Sequence, residues 1–271
     1  RYHQKEYFIH PYVLGMCIGD GNLCNGSINI SIPNFEQESV NRIESLLTEG
    51  YKLSKRNYGN CPQYCIIKDE YNNDFKNSYI QEIKRLGLNV HGNEKFIPYE
   101  YKIGSIEQRK ELLMGLMDSD GSITKTNNKI CYSTNSQMLA NDVAELVFSL
   151  GGIARISSYN RVKNGKNTVE YHVRIQVNFC PFKIQRKAER YNPTFKKYLT
   201  RYIENVELVG KEDAQCIYVD SPEHTYVTGK HYVVTHNTLE LTVASIEGNF
   251  DSVIIICPAS LKTNWKKELM W

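Results

Sequence analysis

The stretch Val13-Leu14-Gly15-Met16-Cys17-Ile18-Gly19-Asp20-Gly21 returns one hundred residues later as Leu113-Met114-Gly115-Leu116-Met117-Asp118-Ser119-Asp120-Gly121. Each copy is a short apolar helix pattern closed by an Asp-Gly pair. Small residues stand four apart in both, Gly15 with Gly19 and Gly115 with Ser119, a spacing that lets two helix backbones approach closely. An Asp at a helix C-terminus sits at the negative end of the macrodipole, where an anion is disfavoured. Two helices packed through their small faces would bring two such carboxylates together. A cation between them relieves the conflict, and hard divalent cations prefer oxygen ligands.

The repeat extends outward. After Asp20-Gly21 comes the alternating stretch Ser27–Ile32, and after Asp120-Gly121 the strand-like Lys129–Thr134. A helix follows in each half, with Asn41, Ile43, Leu46 and Leu47 answered by Asn141, Val143, Leu146 and Val147. Both helices are expected to stop at glycine, Gly50 and Gly151-Gly152. Further strands are expected at Tyr51–Tyr58, Ile153–Tyr159 and Thr168–Asn178, with Asn164-Gly165 turning the last hairpin. The fold class is α+β, as two similar halves whose opening helices meet. Near residue 205 the pattern changes. Gln215–Tyr218 and His231–Thr235 read as strands, Thr238–Glu247 as a helix and Ser252–Cys257 as a buried strand. The expected divisions are 1–104, 105–204, 205–237 and 238–271.

The chain has 271 residues, 41% hydrophobic and 23% charged, the balance of a soluble globular protein of one to three domains. The longest apolar run, Val253–Cys257, falls far short of the roughly 18 residues of a membrane span. No signal peptide is recognisable, and Arg1 in place of Met marks a fragment boundary. The eight Cys are scattered, and Cys61-x3-Cys65 lacks the second pair of a zinc site, so the thiols read as reduced and intracellular. Net charge is only +3, but Lys183, Arg186, Lys187, Arg190, Lys196 and Lys197 make a basic run with Tyr191 and Tyr198 interleaved, which suits nucleic acid.

The two motifs resemble the signature of LAGLIDADG homing endonucleases, over roughly residues 8–200. The resemblance implies a pseudo-twofold pair of αββαββα halves with saddle-shaped antiparallel sheets. It implies a monomer that cuts both strands of a long DNA site with Mg²⁺, or with Mn²⁺ or Ca²⁺ as substitutes. Asp20 and Asp120 match the family's metal-binding catalytic pair, and Gly19 and Ser119 are counted with them in the metal site. Lys95-Phe96-Ile97-Pro98 matches a Lys-x-x-Pro segment of intein-borne members, whose lysine approaches the active site; Lys187 is the expected counterpart. Ile18 departs from the family pattern at the first acidic position, which Asp118 keeps; that position is usually structural.

Ile217–Thr238 resembles the C-terminal splicing blocks of an intein. The resemblance makes Asn237 the residue that cyclises, His224 and His236 its helpers in proton transfer, and Thr238 the first extein residue and hydroxyl nucleophile. Residues 238–271 resemble the start of a Swi/Snf-type helicase ATPase, with Thr238 as the P-loop Thr. The nucleophile and Thr-x-x-His block that open an intein are not found ahead of the first motif. The chain therefore reads as truncated or as the C-terminal partner of a split intein, in a bacterial, archaeal or phage-infected cell. Two other readings stand beside the endonuclease. One is a catalytically decayed nucleic-acid binder or maturase on the same scaffold; the other is a chain that is mainly a protein-splicing partner.

DNA contacts are expected from strand residues, Arg and Lys reading guanine edges or phosphates and Asn and Gln reading adenine. The candidates are Asn29, Ser31, Lys52, Lys55, Arg56, Lys125, Lys129, Arg155, Arg161, Arg174 and Gln176.

Overall fold

The computed structural model describes residues 2–24, 26–56, 59–69, 77–125, 128–163, 166–192, 205, 219–220 and 222–235. The chain divides into two compact units, 1–199 and 200–271. In the first unit the order is α1 (Pro11–Gly19), β1 (Gly21–Asn22), β2 (Asn29–Ser31), α2 (Gln37–Ser45), β3 (Tyr51–Arg56), β4 (Gln63–Lys68) and α3 (Ser78–Arg85). A 3₁₀ turn (Gly92–Glu94) and the short α4 (Tyr99–Lys102) lead to the second round. That round is α5 (Ile106–Ser119), β5 (Gly121–Ile123), β6 (Ile130–Thr134), α6 (Gln137–Ser149), β7 (Ile153–Lys163), β8 (Lys166–Gln176) and α7 (Gln185–Ala188). The αββαββα order occurs twice, and the two antiparallel four-stranded sheets share one connectivity, β1-β2-β4-β3 and β5-β6-β8-β7. In the second unit β9 (Tyr226–Thr228) and β10 (Val233–Thr235) form an antiparallel hairpin.

Each helix start has a local cause. Pro11 opens α1 where its missing N–H matters least, and the His10 ring accepts from the Tyr12 amide at 3.2 Å. Ser105 and Gln108 form a capping box at α5, and Ser136 caps α6. At the other end, α6 stops as expected, with Gly151 at φ +78° just after it. The first half differs: α2 ends at Ser45, and Gly50 lies further on, in the turn into β3. The Leu46 and Leu47 amides bond only three residues back, so the helix tightens and stops early.

The core joins both rounds through α1 and α5. A Cβ on Gly115 would stand 2.2 Å from the Tyr12 carbonyl oxygen and 3.1 Å from Gly15 Cα; one on Gly15 would stand 2.5 Å from the Leu112 carbonyl oxygen. Nothing larger than glycine fits where these backbones cross. Pro11 to Ile18 are all buried, so α1 runs through the interior and shows no polar face.

Strand register separates the two faces of each sheet. Ile30, Leu53, Tyr64 and Ile66 line the core side of the first; Ile123, Ile130, Tyr132, Val173 and Ile175 line that of the second. Side chains of the other parity leave on the opposite, open face. Asn164-Gly165, Gln215–Tyr218, Lys196, Lys197, Tyr198 and residues 236–271 lie outside the described residues.

Candidate metal centre

Asp20 and Asp120 are the residues that terminate α1 and α5. The helix crossing carries them to the same place: a Cβ on Gly19 would meet Ser119 Cβ at 2.5 Å and Asp120 Oδ2 at 3.4 Å. Each chain then turns directly into its sheet, where the Ser31 amide donates to Asp20 O and the Ser133 amide to Asp120 O, both at 3.3 Å. The two acids thus occupy matching positions in the two halves.

The conflict between carboxylate and helix dipole is met by two lysines. Lys95 Nζ donates to the Gly19 and Gly21 carbonyls, both at 2.8 Å. Lys187 Nζ donates to the carbonyls of Met117 at 3.0 Å, Asp118 at 2.6 Å and Ser119 at 3.3 Å. Each ammonium therefore sits on the negative end of the helix that bears an acid. The Gly19 and Ser119 carbonyls, expected in the metal site, are engaged by these lysines.

Both lysines are buried, at 9% and 4% exposure, and are positioned by other residues. Ser136 Oγ donates to Lys95 O at 2.6 Å, and the Ile97 amide donates to Asp142 Oδ2 at 2.8 Å. Lys187 depends on Asp118, which is 2% exposed and accepts from Tyr12 Oη at 2.8 Å and from the amides of Lys183 at 3.1 Å and Ile184 at 3.2 Å. Asp118 thus ties the segment that carries Lys187 to α5. Two cations of the expected basic run are paired with acids while staying exposed: Arg186 with buried Glu36, and Lys183 with Glu111 at 3.0 Å. These ion pairs tie the segment around α7 to the rest of the first unit.

Burial dominates the electrostatics. It pushes the Asp20 carboxyl up to about 7, with Asp120 adding to the rise and Lys187 and Lys95 opposing it. Asp120 reaches solvent, yet the surrounding protein displaces enough water to raise its carboxyl, against Lys95 and Lys187. Burial lowers Lys95 and Lys187, an effect the neighbouring acids resist. Tyr132, opposite Gly121 in the ladder, is fully buried and its hydroxyl has no hydrogen-bond partner; burial, then Asp120 and Asp20, hold it well above the usual phenol range. A cavity of ≈ 560 Å³ opens beside Asp120 and Lys95, with Ser133, Asn135, Arg161 and Glu170 also in its walls.

Among the described residues no group of three or more His, Cys, Asp or Glu could hold a metal unaided. Two oxygen-donor acids with open access still fit a hard cation such as Mg²⁺, which takes one or two carboxylates and completes its shell with water and phosphate. The described cysteines are free; Cys61 is exposed and Cys65 buried, with Cys65 Sγ donating to Asn29 Oδ1 at 2.5 Å.

Register sorts the expected DNA contacts. Asn29, Ser31, Lys52 and Arg56 leave the first sheet on its open face. On the second, Arg155, Arg161 and Arg174 share the open face, with Gln176 at the end of the same row and Lys129 just before β6. Lys125, after β5, is exposed. Lys55 is the exception. It pairs with Tyr64, has the core-side parity, and donates to Asn34 Oδ1 at 3.2 Å. Sequence reasoning missed Gln63, Glu170 and His172, which register places on the open faces. It also missed Glu36, which pairs with Arg186, and Ser136 and Asp142, which hold the segment of Lys95; all three become visible only once the halves are packed. His236, Asn237 and Thr238 lie outside the described residues; His224, in the second unit, has φ +51° and its Nδ1 lies 2.9 Å from Val219 O.

Residues 107–179 match the LAGLIDADG-like domain family. The chain is also 29% identical over 239 residues to the replicative DNA helicase DnaB of Mycobacterium intracellulare, a match that covers 86% of this chain and 36% of that protein. Solved structures of the homing endonuclease I-DmoI are similar. Mesophilic variants give a TM-score of 0.42 at 14% identity, covering 62% of this chain and 88% of theirs. The complex with DNA and Ca gives 0.42 at 11%, covering 67% and 95%, and that with DNA and Mn 0.39 at 13%, covering 62% and 89%. Residues 107–179 are thus similar to a LAGLIDADG-like domain, and the first half of the chain repeats the order of elements found there.

Proposed function

We propose that the chain is a site-specific endonuclease that hydrolyses both strands of duplex DNA with Mg²⁺, embedded in an intein within a helicase-like ATPase. The observation that carries this reading is the pair of acids at adjoining helix ends, each with a buried lysine fixed on the same helix end. The open faces add support. Arg155 and Arg174 stand directly opposite each other, a like-charge pair that costs stability unless a polyanion lies across it.

In this reading the carboxylates of Asp20 and Asp120 would hold the metal, which polarises the scissile phosphate and activates water when bound. Lys95 and Lys187 keep positive charge beside the reacting phosphate and fix the helix ends that aim the acids. The buried seam between α1 and α5 holds the geometry rigid. Arginines and lysines of the open faces contact phosphates and bases. The similarity to a protein named as a helicase agrees in class with the host read from residues 238–271. Within the intein, Asn237 would cyclise with help from His224 and His236 and release Thr238. A mass spectrum showing cleavage after residue 237, lost in Asn237→Ala, is the expected outcome for that step.

The test of the endonuclease is incubation with Mg²⁺ and duplex DNA carrying the uninterrupted host gene, with the insertion site confirmed. Double-strand cleavage is expected, and Asp20→Asn or Asp120→Asn should abolish it while the fold and DNA binding remain. Binding without cleavage under those conditions would favour a decayed nucleic-acid binder.

A further inference from the structure

The open face of the second sheet holds a cluster that the acid–lysine centre does not use. Arg161 on β7 faces Thr168 on β8, and Glu170 faces Tyr159 one step along. Arg161 Nε lies 2.5 Å from Glu170 Oε2, and His172 Nε2 lies 3.1 Å from Glu170 Oε1. The Tyr159 ring packs on His172 at 4.8 Å. Both oxygens of Glu170 are thus engaged, and its side chain is 18% exposed, while that of Arg161 is 61% exposed. Arg161, Thr168 and Glu170 line the same cavity as Lys95 and Asp120.

A carboxylate on a surface that meets a polyanion weakens binding, so its presence there needs a reason. Among the described residues no ion pair joins Arg155 or Arg174 to a carboxylate; charge alone serves a phosphate contact. Base reading is more demanding. A guanine edge presents O6 and N7 as two acceptors in the major groove, and only a guanidinium held in one orientation meets both. Arg carries a large rotamer entropy. A brace through Nε reduces what must be lost on binding and leaves the rest of the side chain accessible. Among the described residues no ion pair joins Arg56 of the first sheet to a carboxylate, and the partner of Ser31 is Gln63, where that of Ser133 is His172.

We propose that Arg161, braced by Glu170, is a specificity-determining residue that reads a guanine in the half-site under the second sheet, close to the cleaved bond. This rests on the endonuclease reading. The experiment uses the full chain and a panel of duplexes in which each base pair of a confirmed target is changed in turn. Affinity is measured with Ca²⁺ in place of Mg²⁺. Arg161→Ala should lose about 10- to 100-fold on the cognate site and bind all four bases equally at one G·C pair flanking the cut. Glu170→Gln should relax the same pair by a smaller factor and leave the others unchanged. Arg155→Ala should weaken every duplex by one common factor. If Arg161→Ala also weakens every duplex equally, Arg161 is a phosphate contact and the inference fails alone. If it relaxes a pair other than G·C, the base assignment fails. A wild-type chain that prefers no sequence over random duplex overturns the endonuclease reading itself.

Discussion

In the proposed function, Asp20 and Asp120 trade stability for chemistry. In the fold Asp20 titrates at about 7, whereas an unperturbed Asp titrates near 3.8. The folded chain therefore binds this proton more tightly, the unfolded chain carries fewer protons between about pH 4 and 7, and stability falls as pH rises through that window. Asp118, pushed up to about 6, acts in the same direction between about pH 4 and 6. Asp20→Asn should thus raise the metal-free protein's stability at pH 8 by about 1–2 kcal/mol, a figure reduced because water still reaches the group. Thermal unfolding with and without the substitution checks this, and cleavage should vanish in the same variant. A lower melting temperature for Asp20→Asn would show that the carboxylate is not strained. Asp20, Asp120 and Lys95 were legible in the sequence because repetition and one short motif single them out. Glu170 and His172 were not, because a carboxylate and an imidazole on a strand acquire meaning only when register shows which face they share.

At the scale of elements, the seam between α1 and α5 is the most constrained contact. Gly115→Ala places a methyl 2.2 Å from the Tyr12 carbonyl, against backbone that cannot give way as a flexible side chain would. The expected loss is about 3 kcal/mol or more, read as a lower urea midpoint. The short connection from β8 to α7 is tied to α5 through the Asp118 carboxylate. Asp118→Ala would strand the Tyr12 hydroxyl and two amides, costing about 2–5 kcal/mol. It should also slow cleavage, because Lys187 would lose its registration on α5. Residual activity in Lys187→Met then predicts that of the Asp118 variant, and Asp118→Asn should fall between wild type and Asp118→Ala. The repeated helix–strand–helix pattern was readable from periodicity, while the full αββαββα order came from the family resemblance. Of the strand residues expected to meet DNA, Lys55 alone has core-side parity, which only the ladder register reveals. The pairing of Lys183 and Arg186 with acids was hidden, since Glu36 and Glu111 lie far away in sequence and composition shows charge without its partners.

For the whole molecule, two open faces of similar connectivity make salt the clearest probe. If Arg56, Arg155 and Arg174 each neutralise a phosphate, affinity should drop about 40-fold between 50 and 200 mM salt. A flat response would exclude a duplex lying across the sheets. Chelation of divalent ions should stop cleavage and leave most of the binding, measured by gel shift in the same buffer. The seam between α1 and α5 has one more consequence. Because each half supplies one acid and one helix of the same crossing, opening the peptide chain between residues 104 and 105 would leave two fragments with half a centre each. Cleavage would then depend on the product of two fragment concentrations, and every unpaired fragment would present an apolar helix to water. The intact chain makes that encounter intramolecular, so a single molecule carries both acids and both helices of the crossing.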